Sequence, residues 1–242
     1  MNKLLAVLLA CLAMPTNAAL LDRGGGLVYD DVLDVTWFGD AELATKQPFG
    51  LPIGTINPDG SVAHWTGVIN LDGSMDWNVA NMWLSALNAS NYLGHNQWRF
   101  PHTSFPDSTC PSEGRGCIGA EMGHLFTIGL GGGFFGWSAT PNNQTAYVNR
   151  SLFPNLPGLA DVGTYWSDTV ETAPPSVQPG NEHLFAWSYN FYQGQVLPYM
   201  KEQTIGQVIL VIDGDIAAVP EPETYALLLA GLGLIGLRMK KR

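Results

Sequence analysis

The chain is poor in charged residues, and it is poorest in cations. Of its 242 residues only 13% are charged, and 11 Lys and Arg stand against 21 Asp and Glu, giving a net charge of −10. Nucleic-acid binding depends on neutralising phosphates with Lys and Arg, so this balance excludes a nucleic-acid partner. Disorder is excluded as well, because 46% of the residues are hydrophobic and can build a core. With 28 Gly and 16 Pro, the composition predicts one loop-rich globular domain of about 200 residues.

The first 19 residues have the pattern of a secretory signal peptide. Lys3 precedes an apolar run over residues 4–14, and Ala18 and Ala19 supply the small residues of a cleavage site. The run is too short to cross a bilayer, which takes about 20 apolar residues. We therefore expect export and cleavage after Ala18 or Ala19. A lipoprotein box ending at Cys11 is the alternative, although its apolar stretch would then be very short.

Residues 219–242 combine a short acidic motif, an apolar segment and a basic end. Pro220, Glu221 and Pro222 precede the apolar residues 225–237, and four cations follow within residues 238–242. As a helix the apolar segment would be about 20 Å long, against about 30 Å for the hydrocarbon core of a bilayer. We expect a short transmembrane helix whose basic end stays in the cytoplasm. A buried C-terminal helix is the alternative, but no polar face interrupts the apolar run.

This tail resembles the PEP-CTERM sorting signal of Gram-negative bacteria in the order, spacing and terminal position of its parts. The resemblance implies that a membrane cysteine transpeptidase-like enzyme, an exosortase, recognises Pro220-Glu221-Pro222 and that the tail is then lost. It also implies a transient association with the inner membrane and a final location at the cell surface or in the extracellular matrix. Residues 19–219 keep 6 Lys and Arg against 19 Asp and Glu, so the exported body should repel acidic polymers unless a cation bridges them.

Hydrophobic periodicity predicts short strands and two helices in the body of the chain. Ala80, Trp83 and Leu87 fall on one helical face. Asp76 before them is a suitable N-cap, because its carboxylate can accept a hydrogen bond from a free backbone N–H. The expected elements are helices at residues 76–88 and 120–128 and strands at 27–29, 32–38, 184–191 and 207–212, with loops over 46–61 and 129–181.

Several motifs occur in the order found in Lcl C-terminal domains. They are Trp98-Arg99-Phe100-Pro101, Glu121-Met122-Gly123-His124-Leu125 and Tyr165-Trp166-Ser167. The chain resembles this family over roughly residues 27–215, although Phe100 replaces the usual leucine, and we assign residues 20–218 to such a domain. The resemblance implies an α+β, C-type-lectin-like fold with two helices, a small twisted antiparallel sheet and long ordered loops, one of which often holds the ligand.

Cysteine is scarce, with three residues in the whole chain. Cys11 leaves with the signal peptide, so the exported domain keeps Cys110 and Cys117. In an oxidising compartment these two predict one disulfide that holds a surface loop. A redox-active or catalytic thiol pair is the alternative.

The candidate metal ligands form incomplete sets, and no cofactor is expected. Glu121 and His124 are spaced to face one metal from a short helix, but structural sites usually have four ligands. We therefore expect Glu121 to interact with the helix dipole and His124 to be partly exposed. A calcium site at one of several small acidic clusters is an alternative, although each cluster is more typical of a turn. The clusters are Asp30 with Asp31, Asp34, Asp72 with Asp76, and Asp213 with Asp215.

Catalytic motifs are missing from the sequence. It has no G-x-S-x-G elbow, no H-E-x-x-H pair and no phosphate-binding glycine loop. A glycosidase would need two facing carboxylates, which sequence alone does not pair among so many acidic residues. We therefore expect a protein that is not an enzyme.

Aromatic residues supply the candidate ligand site. Trp77, Trp83, Trp98 and Trp166 stand in periodic or family-core positions and are expected in the core. Residues 131–150 instead combine aromatic and amide side chains without helical or strand periodicity, and in lectin-like folds such a loop usually carries the ligand. Rings can stack on the apolar face of a sugar, amides can bond its hydroxyls, and Arg150 can orient an acidic sugar. The predicted ligand-binding residues are Trp137, Asn142, Asn143, Tyr147 and Arg150.

These patterns together predict an exported surface or matrix protein whose domain binds a glycan or another matrix component. The first alternative is a structural scaffold of the matrix without a specific ligand. An enzyme acting on a surface polymer is the second.

Overall fold

The computed structural model describes residues 20–61, 63–110, 114–132, 144–156, 163–170 and 180–216. The predicted signal peptide and sorting tail lie outside these residues. Within the described ranges, no helix is both long and apolar enough to cross a membrane. The fold class is α+β, as predicted, because short helices are combined with small antiparallel sheets. The C-type-lectin-like topology stays a prediction.

Short elements follow one another irregularly along the chain. The helices are α1 (Leu43–Lys46), α2 (Trp77–Ala89), α3 (Glu121–His124), which continues as a π-helical turn over Leu125–Gly129, and α4 (Gln144–Ser151). The strands are β1 (Leu20–Gly24), β2 (Leu27–Asp30), β3 (Val35–Phe38), β4 (Met75–Asp76), β5 (Thr164–Trp166), β6 (Phe185–Asn190), β7 (Gln195–Met200), β8 (Ile205–Gly206) and β9 (Leu210–Asp213). They form three sheets, in the orders β1-β2-β3-β9, β4-β8 and β5-β6-β7, and the pairings are antiparallel.

The first sheet, β1-β2-β3-β9, lies between two apolar clusters. In β3, Val35 and Trp37 belong to one cluster and Phe38 to the other. In β9, Val211 and Ile212 are divided in the same way. Successive strand side chains point to opposite faces, so a sheet covered on both faces needs continuous apolar runs rather than alternation. The strands predicted at residues 27–29, 32–38 and 207–212 are confirmed here with different bounds.

Helix α2 forms where the apolar periodicity predicts it, and its N-cap is the predicted one. An Asp76 carboxylate oxygen accepts a hydrogen bond from the Val79 backbone N–H at 3.0 Å. Ala80, Trp83 and Leu87 are completely buried along one face. This face holds the helix against the sheet and leaves Trp77 half-buried and Asn78 exposed at the start of α2.

The second predicted helix, residues 120–128, is confirmed as α3 and the π-helical turn. Met122, Leu125 and Phe126 are buried, as the pattern predicts. The prediction of a partly exposed His124 is wrong, because this residue is buried. The helix packs so closely on the disulfide loop that a Cβ at Gly123 would collide with the Cys117 carbonyl oxygen.

The predicted loop over residues 129–181 contains regular structure, which corrects the prediction. Helix α4 and strand β5 both form within it. Helix α4 is polar on most of its positions, so it has no apolar stripe to reveal it. Tertiary hydrogen bonds stabilise it instead: Asn149 donates from its side-chain amide to the Gly129 carbonyl at 2.7 Å.

Three of the four tryptophans predicted in the core are there. Trp83, Trp98 and Trp166 are buried, whereas Trp77 is only half-buried. The Trp77 indole N–H donates to the Ser167 carbonyl at 3.2 Å, and the Lys201 ammonium lies 4.6 Å from a Trp77 ring centroid. The start of α2 is therefore a surface feature.

Candidate functional site

The predicted disulfide forms between Cys110 and Cys117. The loop it closes packs on the β6–β7 hairpin: Gly116 N–H donates to the Gly194 carbonyl at 3.1 Å, and Val196 N–H donates to the Gly114 carbonyl at 2.8 Å. Cys117 is 1% exposed. The disulfide therefore fixes a loop against the sheet.

Replacing both Cys110 and Cys117 with Ser is expected to lower the free energy of unfolding by about 2–3 kcal/mol, since a short closed loop confines little unfolded-chain entropy. Denaturant unfolding with and without reductant measures this, and the double variant should no longer respond to reductant. Alkylation of both thiols in freshly isolated native protein, before any reduction, would contradict the prediction.

The predicted ligand surface lies largely outside the described residues. Trp137, Asn142 and Asn143 lie outside the described residues, and Tyr147 belongs to α4. The Arg150 guanidinium donates to the Leu130 carbonyl at 2.8 Å and reaches the Gly131 carbonyl at 3.4 Å. Burial lowers the pKa of Arg150. Arg150 thus holds the end of the preceding π-helical turn, and ligand binding by this surface stays a prediction.

Glu121, which the spacing made one of two possible metal ligands with the buried His124, bonds to other groups of the protein. Both Glu121 oxygens accept hydrogen bonds from the Arg99 guanidinium, at 2.8 and 2.7 Å, and one also accepts from the His102 backbone N–H at 2.6 Å. Arg99 also donates to Asp213, at 2.6 and 3.1 Å. The pKa of Arg99 is raised chiefly by its hydrogen bond to Glu121. Glu121 therefore binds a cationic side chain, and Arg99 links α3 to the end of β9.

The acidic clusters hold turns and helix ends. Asp30 accepts from the N–H groups of Val32 and Leu33, both at 3.1 Å, and Asp72 accepts from Ser74 N–H at 3.0 Å. In the described part of the chain, only Asp107, Cys110 and Cys117 bring three potential metal-ligand atoms together. Their two sulfurs are bonded to each other.

A cleft opens between the loop after α1, the first turn of α2 and the turn after β7. Its volume is about 470 Å³. The lining combines apolar side chains with a hydroxyl, an amide and two carboxylates, and contains no cation: Leu51, Pro52, Thr66, Gly67, Asp76, Asn78, Val79, Met82 and Glu202. The cleft is acidic, with an apolar wall.

Two side chains hold the cleft loop in place. Besides capping α2, the Asp76 carboxylate accepts from Gly67 N–H at 2.5 Å, joining the loop to the helix. Asn70 is fully buried; its amide accepts from Trp65 N–H at 2.8 Å and donates to the Ser74 carbonyl at 2.9 Å. The loop is therefore organised by tertiary hydrogen bonds, although it has almost no regular secondary structure.

The cleft surroundings offer groups that can contact a ligand. Trp65, which directly precedes two lining residues, is 58% exposed, and Met82 is 57% exposed. Asn78 donates to Glu202 at 3.4 Å, a long and weak hydrogen bond between two polar groups of the lining. An exposed ring, an apolar wall and side-chain amide and carboxylate groups can stack on, pack against and hydrogen-bond a small ligand.

Sequence reasoning missed this cleft. It predicted a loop over residues 46–61, but Asn78 and Glu202 lie 124 residues apart, and periodicity does not bring such positions together. One signal was available: Trp65 stands in a segment without apolar periodicity, which is unusual for a core tryptophan.

Comparison with known proteins identifies the C-terminal tail. Residues 218–242 match the model of the PEP-CTERM protein-sorting motif. No curated protein and no solved structure matches the chain. The match includes Pro220, Glu221 and Pro222, implies recognition by an exosortase and indicates export to the cell surface. The chain thus carries, at its C-terminus, the sorting motif of PEP-CTERM proteins.

Proposed function

We propose that this is an exosortase-sorted surface protein whose folded domain binds a glycan or another component of the extracellular matrix of a Gram-negative bacterium. The observation that carries the binding proposal is the cleft, which combines an apolar wall with hydrogen-bonding groups from the loop after α1, the start of α2 and the turn after β7. Loops held by a rigid scaffold are common binding sites. The tail carries the sorting motif that accounts for delivery of the exported domain to the cell surface.

The charge of the cleft selects among sugars. Asp76 and Glu202 line it without a cation, so an anionic polymer would meet repulsion. Neutral sugars and amino sugars fit better, because their hydroxyls can bond Asn78 and Thr66 while a ring face packs on apolar atoms. A calcium-dependent mode, in which the ion bridges carboxylates and sugar hydroxyls, is a second proposal for the same domain.

Exported protein applied to a glycan array, with calcium or with a chelator, tests this proposal. We expect retention of neutral or amino-sugar glycans, and we expect Trp65→Ala and Asn78→Ala each to weaken binding roughly tenfold through lost stacking and hydrogen bonding. Thermal unfolding should be nearly unchanged, because both side chains lie at the surface.

Tyr192→Ala is the matched control, since this ring is 48% exposed but, unlike Trp65, is not adjacent in sequence to a residue that lines the cleft. Trp137→Ala tests the surface predicted at residues 131–150. If Trp137→Ala abolishes binding and the cleft variants do not, the ligand binds at residues 131–150. If no glycan is retained by the wild-type protein, the scaffold alternative without a specific ligand is favoured.

A further inference from the structure

The chain is held firmly up to Ile216, just before the sorting motif. Gly214 N–H donates to the Asp34 carbonyl at 2.7 Å. The Thr36 hydroxyl donates to the Gly214 carbonyl at 2.7 Å and accepts from Ile216 N–H at 3.1 Å. The Ile216 side chain packs on one of the two apolar clusters. After β9 the chain therefore turns back across a face of the first sheet.

The Arg23 side chain bonds this returning segment to β1, which is the edge strand opposite β9 in the first sheet. Its guanidinium donates to both carboxylate oxygens of Asp215, at 2.7 and 2.6 Å, and lies 5.2 Å from the Tyr29 ring centroid. Arg23 belongs to β1 and Asp215 follows β9, and these strands are the two outer strands of the sheet. An exposed ion pair contributes little stability, but this one fixes the place from which the tail leaves.

The tether between this place and the sorting triplet is short. Pro220 is four residues beyond Ile216, and an extended chain spans at most about 3.6 Å per residue, so the two lie within about 14 Å of each other. A domain of about 200 residues has a radius of gyration of about 16 Å. An enzyme that holds the triplet therefore meets the surface of the folded domain.

We infer that the exosortase contacts the domain at the exit end of the first sheet, which we define as Asp31, Asp34, Asp213, Gly214 and Asp215. This inference rests on the proposed sorting by an exosortase. The triplet is too close to Ile216 for the enzyme to work at a distance from this surface. The exit end would then help to position the triplet for recognition.

The negative charge of the exit end indicates the charge of the surface that binds it. The exit end has four carboxylates: Asp215 bonds to Arg23 and Asp213 to Arg99. Arg99 is shared with Glu121, so these two cations do not offset the negative charge of the exit end. Acidic lipid headgroups would repel it, whereas a cationic surface of the enzyme would attract it and speed association. We therefore assign the exit end to a cationic protein surface rather than to lipid.

The test measures the rate of tail loss for the full-length chain in its native host, by pulse labelling and intact mass. We expect the double variant Asp31→Asn with Asp34→Asn to lose its tail roughly fivefold more slowly, as rim charges act on association rates. Inserting a flexible linker of about 20 residues after Ala217 adds about 25 Å of reach. In that background the same double variant should be processed at the rate of its linker-bearing parent.

The matched control is Asp59→Asn with Asp168→Asn, which removes two exposed charges outside the first sheet and should leave the rate unchanged. Asp213→Asn, whose side chain is 80% exposed, repeats the test outside the turn after β2, and its melting temperature reports the effect of weakening the bond to Arg99. Wild-type rates for both exit-end variants, with an unchanged melting temperature, would overturn the inference. If the wild-type chain itself keeps its C-terminus at Arg242, the sorting proposal fails instead.

Discussion

Replacing Pro220, Glu221 and Pro222 with alanine is expected to leave the protein unprocessed and to remove it from the cell surface. The wild-type protein should lose its tail, because residues 218–242 match the sorting motif and an exosortase needs that motif to select its substrate. The triple variant should instead end at Arg242. Intact mass and surface labelling of intact cells measure the two effects, and we expect loss of nearly all surface signal.

Glu223→Gln is the control for this experiment, since it removes a neighbouring charge but leaves the triplet whole. It should be processed and displayed as the wild type is. Tail loss from the triple variant at the wild-type rate would show that other residues of the tail are recognised. The experiment also reads the N-terminus, which the signal-peptide prediction places at Ala19 or Leu20.

Replacing Trp166 with alanine is expected to have the largest effect on stability, about 3–5 kcal/mol. Trp166 is completely buried, and its indole N–H donates to the Met75 carbonyl at 2.8 Å. Its backbone N–H donates to the Gln207 carbonyl at 3.0 Å. The side chain thus connects β5 with β4, and its loss leaves a large cavity where β5, β4 and the segment after β8 meet. Denaturant unfolding measures the change.

Two substitutions check the cause of that loss. Trp166→Phe keeps most of the ring volume and removes the indole hydrogen bond, so we expect the free energy of unfolding to fall by about 1–2 kcal/mol. Trp65→Ala makes the same chemical change at an exposed position and should shift stability by no more than about 0.5 kcal/mol. Equal losses for Trp65→Ala and Trp166→Ala would contradict the assignment of Trp166 to the core.

Local patterns were sufficient to predict part of this fold. The α2 helix carries its own signal, because Ala80, Trp83 and Leu87 recur at helical spacing after a capping Asp76. The disulfide was predictable from export and from the small number of cysteines. The sorting motif was the clearest case, since order, spacing and terminal position are all sequence properties.

The remaining features depend on contacts between distant residues. Helix α4 is held by Asn149 and Arg150 bonding to carbonyls about 20 residues earlier, and a polar sequence does not reveal such bonds. The sequence makes Glu121 a candidate metal ligand, but in the fold its carboxylate accepts hydrogen bonds from Arg99. The cleft needs the loop after α1 and the turn after β7 to meet, which no local pattern indicates.

The double coverage of the first sheet limits how its turns can change length. In β3, Trp37 and Phe38 fill different clusters on opposite faces, and a register shift of one residue would exchange the two faces. Deleting one residue from the turn between β2 and β3 would therefore place side chains of the wrong size in both clusters. The Asp59–Gly60 turn lies in an exposed loop, and none of residues 55–61 belongs to either apolar cluster. Among natural relatives, the turn between β2 and β3 should accordingly keep its length, whereas the Asp59–Gly60 turn should vary in length.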